Sequence, residues 1–473
     1  MSKFEGMLND QNIQDVFSGA GDFIRREIRC CGHRLYAYAI DGLIASGDAS
    51  EYVLKPIVQE LAGGSVQELY EKSLEGTIYN VVADPCEDLR SVAMKLVNGF
   101  CVVLFPGCGA IAYEVKTPDK RGTSAPDVEN TVKGAKDAFV ETVRSNTSYV
   151  RRHLRSPDLR IYETQVGRRS LTNVSVVWLD GVTNDTLVER MKERLRQIDI
   201  DGMITPASVE EYITGSRKTA FPLLQYTERP DRFCSGILKG RVGVLVDGLP
   251  VGYLAPVDVG YLMNSPEDMS RDYISASWVR ILRYIALLGS LLLPAIYVAL
   301  TVHHTSLLPQ MVLDIINESR EGLPYSSGWE VLGLLVAFEL LQETGIHLPR
   351  NIGQSVSIIG GIVLGTTAVD AGLISPMALI VVSVVGICGF VIPNRDFATA
   401  VRVMRFGLTI VAACLGLTGM AVGMGVLLIH LLSLRSLGVP YLVLFEPGIF
   451  RKRLVEVKKR STNLRTKDID KQK

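Results

Sequence analysis

The chain has 473 residues, room for two or three domains, and its 47% hydrophobic content is high for a soluble protein. Lys plus Arg and Asp plus Glu stand at 50 each, so net charge gives no ground for nucleic-acid binding. The long apolar runs lie after Trp278, which predicts an α/β cytoplasmic region of two subdomains followed by an all-α polytopic membrane domain.

The amino terminus, MSKFEGMLNDQNIQDVF, has no basic start followed by an apolar core, so no signal peptide is expected. Residues 1–118 read as the first subdomain. Helical patterns appear at Asn12–Arg29 and Tyr52–Leu74, and strand patterns at Arg34–Ala39 and Gly99–Phe105. In FCVVLFPGCGAIAYEV, from Phe100, the GCGAIA glycines precede a strand pattern where a dinucleotide fingerprint needs a helix, so a hairpin is expected. TPDKRGTSAP, from Thr117, reads as a linker.

Residues 127–265 read as the second subdomain. Its pattern is a helix over Lys133–Leu154, a buried strand from Ser175 and a helix over Asn184–Gln197 capped by Asn184 or Asp185. A hairpin on an Asp247-Gly248 turn follows. Each subdomain thus carries an apolar hairpin, a loose internal echo. TERPDR, Thr227–Arg232, sets Arg229, Asp231 and Arg232 around a Pro230 turn, as an inter-domain or subunit contact or as a salt-bridge cluster within one subunit. No G-x-S-x-G, H-E-x-x-H or Walker loop occurs. The eight cysteines form no C-x-x-C pair and the six histidines no ligand spacing with them, so neither metal nor cofactor is expected. This region reads as a binding, coupling or assembly module, not an enzyme.

Residues 275–440 read as a membrane domain of four or five helices, and 441–473 as a basic cytoplasmic tail in contact with anionic lipid. Ile285–Val302 is long enough to span, and Arg280 and Arg283 at its start put the soluble region inside. The run from Ser326, with Glu330, Glu339 and Glu343, reads as an interfacial helix or a short span. Spans follow from Ser375 and over about Phe406–Leu432. Five crossings put the Arg395–Arg405 loop inside and the tail outside; four reverse both. The charge of the tail favours four crossings plus the interfacial helix.

Between these runs lies SVSIIGGIVLGTTAVDAG, from Ser355 to Gly372. At about 100° per residue, Ser355, Ile359, Ile362, Thr366 and Asp370 share one helical stripe. Gly361, Gly365 and Gly372 share another, suited to close helix packing. The first stripe is either buried in one subunit or lines a pore around a symmetry axis. In the pore, Ile359 and Ile362 would form an apolar constriction and Asp370 a cation-attracting ring. Spacing alone leaves both open.

Several motifs together resemble the GerA family, the A subunits of bacterial spore germinant receptors. They include KGAKDAFVETVRSNTSYVRRHLR, VGRRS, IDIDG, TERPDR, SPEDMSRDYISASWVRILRYIALLGSLLLPAIYVALT, REGLPYSS, LPRNIGQSVSIIGGIVLG and SLRSLGVPYL. The resemblance implies a membrane protein of the inner spore membrane. It implies a homo-oligomer that forms a nutrient-gated channel for monovalent cations, working with a transporter-like B subunit and a lipoprotein C subunit. It places the pore segment in the stretch beginning Gly353-Gln354. Lys133–Phe139 and Gly365–Gly372 depart from the family's usual wording, which keeps open the stage V sporulation AF paralogue, an amplifying channel without its own nutrient. A secondary transporter is the rival of another class, but four or five spans are too few for inverted repeats.

Overall fold

The computed structural model describes residues 4, 6–76, 78, 80, 82–117, 126, 129, 131, 134–202, 206–215, 219–347 and 363–442. They fall into two compact units: 1–216 with 224–256, and 217–223 with everything described from 257 onward.

The first unit carries two antiparallel five-stranded sheets. Sheet one holds β1 (Phe23–Cys30), β2 (His33–Ile40), β3 (Ala83–Cys86), β4 (Phe100–Phe105) and β5 (Gly109–Glu114), in the order β1-β2-β4-β5-β3. Sheet two holds β6 (Leu159–Val166), β7 (Thr172–Leu179), β8 (Gln225–Thr227), β9 (Val242–Val246) and β10 (Gly252–Ala255), in the order β6-β7-β9-β10-β8. Renumbered from its own first strand, the second order is the first. The helices repeat too. α1 (Asp10–Val16), α2 (Val66–Leu74) and α3 (Leu89–Val97) serve sheet one. α4 (Val143–His153), α5 (Asp185–Arg196), α6 (Pro206–Thr214) and α7 (Pro230–Leu238) serve sheet two. α1 and α4 precede the first strand, α2 and α6 the third, α3 and α7 the fourth. The faint echo of two hairpins is a full topological duplication.

β4 reads FCVVLF without polar alternation because the sheet is covered on both faces. Cys101, Val103 and Phe105 join one core, and Val102 and Leu104 join the other. In sheet two, Phe233 of α7 lies over two glycines. A Cβ would meet its ring at 2.2 Å from Gly243 and at 2.6 Å from Gly252.

Three helical expectations are corrected. The Asn12–Arg29 pattern is helical only to Val16; the Gly19 turn ends it and the rest becomes β1. β1 is an edge strand whose exposed, charged residues imitate a helix surface. The Tyr52–Leu74 pattern breaks over 60–65, where Gly63-Gly64 precedes the Ser65 cap of α2. The Lys133–Leu154 helix starts only at Val143. The preceding segment is held extended: Phe139 N–H donates to Glu228 O (2.7 Å), and the Asn146 side chain exchanges two hydrogen bonds with the Val140 backbone.

Both expected hairpins form, and Asn184 caps α5 by accepting from Thr186 N–H (2.9 Å). The two sheets meet through a buried ion pair. Arg151 of α4 grips Asp22, ahead of β1, with Nε–Oδ2 at 2.7 Å and Nη2–Oδ1 at 2.8 Å. Beside it, Gly21 N–H donates to Ile161 O (2.7 Å), and Arg160 donates to Val16 O (3.0 Å).

The second unit is helical: α8 (Tyr273–Val302), α9 (Gln310–Ser319), α10 (Ser327–His347), α11 (Pro376–Phe390) and α12 (Arg395–Ser433). Among the described residues, α8 and α12 are long and apolar enough to cross a membrane, and α11 is a shorter apolar helix. Val298, Val331, Leu334, Leu335, Val382 and Val385 form the core that joins α8, α10 and α11.

α12 is not one rod. Gly416 has φ 62° and ψ −148°, outside helical space, and the chain doubles back there. A Cβ on Gly423 would lie 2.8 Å from Leu408 Cδ2, residues about 22 Å apart along a straight helix. Phe397 and His430 both reach one ring, Phe221, at 5.9 and 6.2 Å between centroids. The single last span expected over Phe406–Leu432 is therefore corrected to a hairpin with arms 395–415 and 417–433. Five glycines in that apolar run read alike, and only one turns the chain.

The hairpin defines two ends of the helical unit. α8 runs from the Phe221 end to the Gly416 end, where His303 Nε2 meets Ala413 O at 2.7 Å, a carbonyl beside the break. α10 starts at the Gly416 end, Gly328 beside Ala413, and runs back until Glu339 reaches Arg402. α11 starts where Ser375 N–H donates to Glu330, again at the Gly416 end. The described chain stops at 347 toward the Phe221 end and resumes at 363 toward the Gly416 end, with Gly365 beside Leu379.

Candidate functional site

Of the stretch expected to carry the chemistry, Ser355, Ile359, Gly361 and Ile362 lie outside the described residues. The rest is built from a π turn, Val363–Thr367, and a short helix, Ala368–Asp370. A π turn advances by more residues than an α turn, so a stripe counted at 100° per residue does not run unchanged through it. Thr366 and Asp370 are exposed, while Gly365 is buried with an ideal Cβ 3.6 Å from Leu379 of α11. Gly372 takes φ 62° with nothing within 4 Å of an added Cβ. Here it ends the helix, as a left-handed glycine does.

Charged groups outside the expected pore stripe cluster between α10 and the first arm of α12. Arg402 donates to Glu339 Oε1 (2.6 Å) and to Gln342, and buried Arg405 stands 3.8 Å from Glu339 Oε2. At the other end of α10, the buried Glu330 carboxylate accepts from Ser375 N–H at the start of α11, with Arg320 Nε 3.9 Å away. The signal was in the sequence: three carboxylates in one apolar run are costly in hydrocarbon, and such groups pair when they persist. Arg280 and Arg283, read as flanking charges that orient the first span, are both buried. Arg283 forms a two-pronged bond to Asp268 (Nη2–Oδ1 2.8 Å), and Arg280 lies 3.9 Å from the same carboxylate. Both are thus tied to Asp268 within the second unit.

TERPDR closes a network within the first unit. Arg229 holds Asp231 through Nε (3.0 Å) and Nη2 (2.7 Å) and donates Nη1 to Thr131 Oγ1 (2.8 Å) and Glu129 O (3.2 Å). Arg232 pairs with Glu129, whose carboxylate also accepts from Thr227 and Glu228 N–H. Arg229, Asp231 and Arg232 thus fasten Glu129 and Thr131 onto the β8–α7 corner. Nearby, His153 Nε2 meets Asp137 Oδ2 at 2.8 Å. That hydrogen bond holds the Asp137 carboxyl below its ordinary range and the His153 imidazole above its own.

A cleft of about 250 Å³ also opens in this unit, between Gly42 and Thr117 on one side and Arg144, Ser148, Tyr149 and Arg152 on the other. Among the described residues, no group of three His, Cys, Asp or Glu side chains gathers that could hold a metal ion.

Residues 11–467 match the family described as Bacillus/Clostridium GerA spore germination protein. Spore germination protein A1 of Bacillus subtilis is 35% identical over 370 residues, 78% of this chain and 76% of that one. Spore germination protein KA of the same species is 32% identical over 446 residues, 93% of this chain and 80% of that one. An uncharacterized membrane protein of that species, YfkQ, is 32% identical over 444 residues, 93% of this chain and 86% of its own. The crystal structure of the N-terminal domain of the A subunit of the Bacillus megaterium spore germinant receptor GerK3 aligns with 54% of this chain and 96% of its own. Its TM-score is 0.42 and its identity 23%. With the family match running over nearly the whole chain, this protein belongs to the GerA family of spore germination proteins.

Proposed function

We propose that this chain is the A-type subunit of a spore germination receptor in the inner spore membrane. It assembles as a homo-oligomer whose membrane helices surround a pore for monovalent cations. A transporter-like B subunit and a lipoprotein C subunit are its expected partners. The single observation that carries the reading is the fold-back at Gly416, because it makes one membrane topology consistent with the charge of the chain. The two arms of α12 carry the chain across and back, so the Arg395 end and the segment after the second arm share one side. The Arg395 end of α12 and the basic tail after 441 then both face the cytoplasm. The positive-inside conflict disappears. The pore lining is Ser355, Ile359, Ile362, Thr366 and Asp370. The departures at Lys133–Phe139 and Gly365–Gly372 keep the amplifying paralogue as the second reading.

Potassium-loaded liposomes test the pore. The reconstituted chain releases potassium in preference to chloride. Ile359→Ala with Ile362→Ala raises the leak, and Asp370→Asn lowers the preference for potassium over chloride by about fivefold, the loss of one ring of charge. A wild-type chain that releases no potassium would sink the channel. A leak unchanged in the paired Ile variant would sink the constriction, and an unchanged ion preference the Asp370 ring.

Topology has its own test. Cys414 is exposed two residues before the turn. With the other seven cysteines replaced by serine, an impermeant maleimide labels it only from the face opposite the tail. Labelling from the tail side would overturn the arrangement in which the two arms of α12 cross and return.

A further inference from the structure

Residues 217–223 belong to the second unit, although α6 before them and β8 after them belong to the first. The chain of the second sheet sends one loop into the helical unit and takes it back. Phe221 anchors that loop. Its buried ring lies 5.9 Å from Phe397 on the first arm of α12, 6.2 Å from His430 on the second, and 6.4 Å from Tyr441 beyond it. Thr219 Oγ1 bonds His430 Nε2 at 3.0 Å. Leu223 O accepts from Ser436 Oγ (2.6 Å), whose oxygen also accepts from Val257 N–H (2.9 Å).

One side chain therefore bridges both arms at the open base of the hairpin. The arms cannot spread or close there without moving Phe221 or emptying its pocket, which the density of packed interiors makes costly. The loop is short on both sides: β8 begins two residues after Leu223. From this geometry we infer that residues 219–223 are a coupling strap, and that Phe221 positions the base of the α12 hairpin according to the state of the second sheet. Its value as a gate control rests on the channel reading; its mechanical role does not. Through this strap, a partner that shifts the β8–α7 corner acts directly on two of the proposed membrane passages. Energetic coupling of this kind needs a packed element that both regions bias, and the strap is covalently part of one and buried in the other.

The test is a coupling cycle read by hydrogen exchange on the purified full-length chain. Arg229→Ala loosens the β8–α7 corner, six residues from the strap. In the native-length chain it should speed exchange at both hairpin bases, around 397–405 and 426–434, by about fivefold. The same substitution is then made in a chain with Gly-Ser-Gly-Ser inserted after Gly215 and after Leu223. There the effect should fall below about twofold. Phe221→Ala should uncouple the bases likewise, and Phe221→Leu should restore the coupling. Equal acceleration with the lengthened loop, or none in the native-length chain, overturns the strap. Exchange does not depend on conduction, so a wild-type chain that carries no potassium would count against the channel reading alone.

Discussion

Gly416→Val should abolish the native membrane unit. The native φ of 62° with ψ of −148° belongs to a region that only glycine enters without strain, worth about 1–3 kcal/mol by itself. Space is closed as well. An added Cβ would stand 2.6 Å from His304 Cε1 and 2.9 Å from His303 Cβ. One cause acts on the backbone and the other on packing, and together they approach the stability of a whole domain. The relaxed alternative is a straight helix through 395–433, which exposes the Phe221 pocket and leaves the second arm without a partner. Spin labels at Thr399 and Ile429 report it: a straight rod would set them about 45 Å apart. A variant that keeps the short distance and the yield of the native chain would refute this account of the turn.

Asp22→Ala should cost the first unit about 3–5 kcal/mol, the range for one lost partner of a buried ion pair. Arg151 is among the largest fully buried side chains, and Asp22 supplies both oxygens to its guanidinium. Among the described residues, Arg151 adds only a bond from Nη1 to Ser156 O, long at 3.5 Å. Truncating the carboxylate strands a charge in the junction between the sheets. Removing both charges should hurt less: Asp22→Leu with Arg151→Met should recover most of the loss, since the desolvation cost goes with the pair. Trp178 reports the second sheet when Trp278 and Trp329 are replaced by Phe, so the urea midpoint of this unit can be followed alone. A single substitution that shifts the midpoint by less than about 1 kcal/mol would mean the junction rests on its backbone bonds instead.

Local chemistry was legible in the sequence where the interaction partner lay close along the chain. The Asn184 cap, the Asp247-Gly248 turn and the β4–β5 hairpin each depend on neighbours within a few residues. The pair Asp22–Arg151 depends on residues 129 apart, and no periodicity announces it. Edge strand β1 was misread because its Arg and Glu residues face solvent, as a helix surface would. For the candidate pore, composition singled out a segment of small and polar residues in an apolar run. The spacing argument assumed α geometry through Val363–Thr367, where the backbone makes a π turn. The carboxylates of α10 were visible, but their partners Arg402, Arg320 and Ser375 N–H come from elements that only folding brings near.

The duplication of the two sheets has one more consequence: the molecule carries its own control. The loop between α6 and β8 has a counterpart between α2 and β3, at the same point of the same topology. That counterpart stays at home. Asn80 donates to Glu114 O (3.2 Å) on the neighbouring strand, and the segment remains in the first unit. Two copies of one architecture thus differ in where a single connection goes. Grafting the 75–82 sequence in place of 215–224 would ask what that difference does, within a chain whose scaffold has already shown that it closes either way.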